Sequence, residues 1–195
     1  MINTGGYDGL SLGLSTDVDL AADILDFWFG ENLKQSYKTK WFPSGVDMQN
    51  NADDLIRRKY SNVLNLALQG NLNHWISEKK SLIALIIVLD QFSRHIYRNI
   101  EGKDDDRKLA DKLALSFSKG LIQEMGWDKD LNVQEFVFAL MPLRHSPSIE
   151  HLSNVLTNIR ARLVLQQDEF DLLVKFEKQT IRRLQELQDR RKVSP

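Results

Sequence analysis

Eight consecutive apolar residues, Leu82 to Leu89, run directly into Asp90-Gln91-Phe92-Ser93-Arg94-His95-Ile96-Tyr97-Arg98. A membrane-spanning helix needs about 20 apolar residues, so this run is too short to cross a bilayer. It predicts a helix from Leu82 to Arg98, opened by Ser81. A helix that is apolar on every side over its first half has to be enclosed by other helices. The rest of the chain supplies them. Helical spacing recurs throughout and no alternating strand pattern competes with it.

Thr16 or Asp17 caps a first helix carrying Ile24, Leu25 and Trp28, stopped at Gly30. An irregular stretch with Trp41, Phe42 and Pro43 follows. Leu55, Ile56, Tyr60, Val63, Leu64 and Ala67 mark a second stripe that ends at Gly70, and Leu72, Trp75 and Ile76 a short turn. Beyond the central helix, Leu109, Leu113 and Phe117 form a stripe ended by Gly120. A helix over Leu131 to Met141 is expected to stop at Pro142, and Ser146-Pro147 reads as the start of the next, a hydroxyl cap followed by a proline in the first turn. That helix carries Ile149, Leu152, Leu156, Ile159 and Leu163. A last one, from about Glu169 to Arg190, sets Phe170, Leu173, Phe176 and Thr180 against a charged face. Short connections favour antiparallel neighbours. The expected fold is therefore all-α: antiparallel helical hairpins, in a right-handed superhelix like that of tetratricopeptide repeats or in an irregular bundle. Residues 1–15, rich in glycine and serine, read as a flexible leader ahead of a single domain over 16–195.

Charge and chemistry narrow the function classes. With 26 basic and 27 acidic side chains, the chain has no electrostatic footprint for nucleic acid or an anionic membrane. The absence of cysteine excludes disulfides, thiol catalysis and thiolate metal sites, and fits a cytoplasmic location. The four histidines, His74, His95, His145 and His151, do not form the spaced pair of a zinc protease. No metal and no cofactor is expected, since glycine-rich phosphate loops and dinucleotide fingerprints are missing.

Two segments carry the polar residues of interest. Asp90, Arg94 and Arg98 are four apart, so on a helix they share one side and drift by about 40° per step. A carboxylate that positions two guanidinium groups can hold an anionic ligand; the same trio can equally be a network that fixes helix register. Gln91 lies beside them. His145-Ser146, between Pro142 and Pro147, is either a base or ligand at a helix mouth or a capped turn. The candidate ligand-binding set is Asp90, Gln91, Arg94, Arg98, His145 and Ser146.

Several blocks resemble the DUF924 family of uncharacterised bacterial proteins: Ile24-Leu25-Asp26-Phe27-Trp28-Phe29-Gly30, Trp41-Phe42, Asp53 with Ile56 and Tyr60, Gly70-Asn71-Leu72 with Trp75, Asp90 to Arg98, Asp106 with Gly120, and Pro142-Leu143-Arg144-His145-Ser146. The resemblance implies a fold like that of tetratricopeptide-repeat arrays and no particular activity. This chain departs from the family pattern at Ser93-Arg94-His95, where relatives carry Pro-Arg-Asn, at Pro147 and Leu152, and over Lys175 to Arg183, where a Gly- and Pro-containing segment has become unbroken helix. The apolar scaffold is kept while about half of the polar set is changed.

Two functions follow as expectations. The first is a non-catalytic scaffold whose concave helical surface takes a peptide or partner helix. The second is a small-molecule site for an anion, with or without catalysis, built from Asp90, Arg94, Arg98 and His145. Convergence of Arg94 and His145 on one enclosed pocket favours the second; arginines that only brace neighbouring helices favour the first.

Overall fold

The structure, a computed structural model, describes residues 17–30, 33–165 and 170–193. The expected leader over 1–15 lies outside the described residues. Those residues form an all-α fold with no strand among them. Helix α1 spans Asp17–Phe29 and stops at Gly30, whose φ of 63° suits a residue without a Cβ. The short α2 (Leu33–Ser36) passes into a wide π-type turn over Tyr37–Trp41, and α3 spans Val46–Leu68. After a 3-10 turn at Asn73–Ser77 comes the central rod. It consists of α4 (Lys79–Ile87), a π turn (Val88–Phe92) and α5 (Ser93–Ile96). Then follow α6 (Asp104–Lys119), α7 (Val133–His145), α8 (Ile149–Leu165) and α9 (Phe170–Val193).

The apolar run does what its composition requires. Every residue from Leu82 to Asp90 is buried, with α1, α6 and α7 packed around α4 and α3 against the π turn and α5. Aromatic rings fill the space between α1 and the rod. Trp28, wholly enclosed, meets Phe92 and Phe138 edge-on at 5.4 Å, and Tyr60 stacks on Phe92 at 4.5 Å. Such contacts add to the large area these rings withdraw from water.

Five details depart from the sequence reading. The central helix ends at Ile96, so Arg98 sits in the turn beyond it. Pro142 lies inside α7 rather than after it. Proline removes one N–H from the helix, but its carbonyl still accepts from Ser146 and the turn survives. Ser146 consequently closes α7, and the next helix is opened by Ser148, whose Oγ accepts from the His151 N–H at 3.3 Å. Finally, α6 buries Ala110, Ala114 and Ser118, leaving Leu109 exposed and Leu113 and Phe117 half-buried. Small residues let α6 approach α4 and α7 closely, and the Ser118 hydroxyl donates to the Ala139 carbonyl of α7. The exposed Leu55 of α3 likewise lies off its expected stripe. No helix among the described residues is long and apolar enough to cross a membrane.

Candidate functional site

The π turn sets the site. In a wide turn the N–H of residue i+5 meets the carbonyl of residue i, and such turns in helices are frequent at functional positions. Here the Ser93 N–H bonds to the Val88 carbonyl, and the Ser93 hydroxyl donates to the Leu89 carbonyl at 2.6 Å. Asp90 occupies the middle of this turn and is 1% exposed.

Three donors converge on the Asp90 carboxylate. The Gln91 side-chain amide donates to Oδ2. Arg94 Nη2, at 3.2 Å, and His145 Nδ1, at 2.8 Å, share Oδ1. Arg94 Nη2 also donates to Asp111 Oδ1 of α6 at 2.6 Å. Burial alone pushes the Asp90 carboxyl upward, but the His145 ring and the Arg94 guanidinium more than reverse this and hold it below the ordinary carboxylate range. Asp111 is raised instead, by burial and by the neighbouring Asp90 charge against the pull of Arg94. An ionised carboxylate only accepts hydrogen bonds, so Nδ1 of His145 carries a proton. No partner is found for its Nε2 among the described residues.

Beside this junction lies a cavity of about 200 Å3 lined by Asp90, Asp111, Lys112, Leu115, Pro142, His145, Ser146 and Pro147. A buried carboxylate that fixes the tautomer and orientation of a histidine is the arrangement by which proteins prepare an imidazole to move a proton or to hydrogen-bond a ligand. No group of three or more His, Cys, Asp or Glu side chains placed to hold a metal ion is found among the described residues.

The candidate residues divide. Asp90, Gln91, Arg94 and His145 come together. Arg98 does not join them, because the helix ends before it. Its Nε pairs with Asp53 Oδ2 of α3 at 2.8 Å. Asp53 is a second buried carboxylate and also bonds His95 Nδ1 at 2.7 Å and Gln49 Nε2 at 2.8 Å. Ser146 lines the cavity but its Oγ bonds His151 Nδ1 at 2.8 Å. Sequence spacing missed Asp111, which lies 17 positions from Arg94 on another helix, and missed the Asp53–His95 pair, which lies 42 positions apart.

These geometries generate two expectations. Because Asp90 keeps two donors when Arg94 is removed, Arg94→Ala is predicted to lower stability by about 1.5–3 kcal/mol, the value of a hydrogen bond to a charged group. Asp90→Ala is predicted to cost more, since it unties Gln91, Arg94 and His145 together. Urea unfolding of the two variants checks the order, and a larger loss for Arg94→Ala contradicts it. The second expectation concerns pH. Burial pushes His95 below the ordinary histidine value despite Asp53 beside it. The unfolded chain therefore binds a proton near pH 6.5 that the native state resists, so stability rises with pH in this window and falls as pH drops below about 6.5. His95→Gln is predicted to flatten the stability curve between about pH 5 and 7, measured by urea titrations across that range. An unchanged slope contradicts this.

Comparison with known proteins adds the lineage. The family model described as bacterial protein of unknown function, DUF924, matches residues 24–187. A solved structure of a protein of unknown function from Agrobacterium tumefaciens superposes with a TM-score of 0.60 at 24% identity, covering 86% of this chain and 85% of that one. At that identity the likeness is one of fold. No curated protein matches. With most of its length inside the family model and its fold shared, the chain belongs to the DUF924 family.

Proposed function

We propose that the protein binds a small anionic molecule in the cavity beside Asp90. One observation carries the reading: a fully buried carboxylate spends a single oxygen on both Arg94 and His145, while the histidine's other nitrogen is left over at a cavity wall. A buried ion pair is a poor source of stability compared with apolar packing, and this one, unlike the Asp53–His95 pair, opens on a cavity. Orientation of His145 for a ligand gives that opening a use. Exposed Lys112, with no ion-pair partner among the described residues, contributes positive charge at the same cavity. A volume of about 200 Å3 is below the range of about 300–1,000 Å3 that suits drug-sized ligands, so the ligand is small.

A second reading, a scaffold for a peptide or protein, draws support from the N-terminal half of α3. Val46, Met48 and Leu55 are exposed there, and a groove of about 340 Å3 runs between Met48, Leu55 and Phe27. Elsewhere the exposed large apolar side chains Val18, Phe42, Ile100, Leu109 and Val164 are scattered over three helices and two connections, as on ordinary monomer surfaces. Arg94 and Arg98 brace neighbouring helices and do not line the cavity, so the small-molecule reading rests on His145. It is preferred because that ring is oriented by a buried charge and faces the cavity.

Native mass spectrometry of the purified protein, followed by thermal melts with each small acid it detects, tests the reading. A ligand at about 100 times its Kd stabilises by about 2.7 kcal/mol. That gain is expected in the wild type. It is expected to vanish in His145→Gln and in Leu115→Trp, which fills the cavity. Binding that survives both substitutions, or no small acid that raises the melting temperature, rejects the cavity as the site.

A further inference from the structure

On the backbone side of His145 lie two arginines that the cavity does not use. Arg144, the preceding residue of α7, has its guanidinium 5.7 Å from the centre of the Phe176 ring of α9. Arg183, also on α9, donates from Nη2 to the His145 carbonyl at 2.8 Å. Both side chains are half-buried. The Nε of each is shut off from water and has no partner among the described residues.

Neither arginine forms an ion pair with a described acid. Two acids of α9 close to Arg183 in sequence are taken by other arginines: Glu177 by Arg160 at 2.8 Å and Glu186 by Arg182 at 3.1 Å. Asp90 attracts Arg144 from a distance, but its oxygens already accept from Gln91, Arg94 and His145. Arg183 Nη2 reaches the carbonyl of the residue that follows Arg144, which brings the two cations to the same α7–α9 contact, and Arg144 is depressed by burial first and by the Arg183 charge second. Two partly desolvated guanidinium groups at one helix contact, without a counter-ion among the described residues, are costly in an empty protein, because burial disfavours charge and like charges repel. The planar fork of arginine matches the oxygens of carboxylate and phosphate.

We infer that Arg144 and Arg183 form an oxyanion site between α7 and α9 that takes a phosphate or carboxylate group. The inference is independent of the cavity reading, since neither arginine lines the cavity, and its test uses different residues.

The test is a set of thermal melts of the full chain in inorganic phosphate, in acetate, and in chloride of matched ionic strength. Phosphate or acetate is expected to raise the melting temperature above the chloride control. A phosphate-only effect assigns a phosphoryl group, and an acetate-only effect a carboxylate. Arg144→Met keeps the aliphatic stem on Phe176 and removes the charge. It is expected to melt at or above the wild type without anion, and to weaken anion binding about tenfold or more, the equivalent of one charge-assisted hydrogen bond. Arg183→Met is expected to weaken binding to the same degree. Arg182→Met, which removes a charge from the exposed face of the same helix, is expected to leave it unchanged; a stabilisation that survives both Arg144→Met and Arg183→Met overturns the site. Equal stabilisation by chloride, or no stabilisation of the wild type by either oxyanion, overturns the site. So does a fall in the anion-free melting temperature of both arginine variants with phosphate binding intact, which assigns the arginines a bracing role.

Discussion

The Asp90 carboxylate is the interaction on which the architecture around the site depends. Through Gln91 and Arg94 it is tied within its own rod, and through His145 to the end of α7. Arg94 extends the connection to Asp111 on α6, and the His145 carbonyl extends it to Arg183 on α9. Four helical elements therefore meet around one charge that is 1% exposed. The desolvation of that charge opposes folding, and its donors together offset it. Such a junction tolerates little rearrangement. A slip of any one helix leaves a buried charge short of a partner, at far greater cost than a slip between apolar faces.

Asp53 repeats the device on the other side of the rod. It gathers Gln49, His95 and Arg98, and so ties α3 to the end of α5 and the turn after it. The two hubs differ in their surroundings. His95 is nearly enclosed, at 5% exposure, and burial holds it toward the neutral form. The Asp90 hub has a cavity beside it. This difference separates a pair that braces the fold from one with room for a ligand, although the two look alike as sequence.

The fold was legible because its signals were local. The all-round apolar run from Leu82 to Leu89, Gly30 as a helix stop and the apolar stripe of α8 each follow from side chains within a few residues of one another. The misses came from interactions that local spacing does not encode. A proline at 142 reads as a stop, yet α7 continues past it because only one helical N–H is lost. Leu109, Leu113 and Phe117 read as the core face of α6, yet Ala110, Ala114 and Ser118 are the residues buried, and Ser118 bonds the backbone of α7. At the site, the Asp90–Arg94 pair was visible as an i, i+4 spacing. His145 stood out by type, but its bond to Asp90 spans 55 positions. Asp111 carried no local mark, and Arg98 shared the spacing but not the helix.

The central claim, that an ionised, buried Asp90 orients His145, has a direct spectroscopic signature. Long-range nitrogen–proton correlation of the imidazole at neutral pH distinguishes the two ring nitrogens. The structure predicts that Nδ1 of His145 carries its proton, with a downfield-shifted, slowly exchanging Nδ1 proton that is lost in Asp90→Ala. A His145 ring protonated at Nε2 alone, or a spectrum indifferent to the loss of Asp90, contradicts the account.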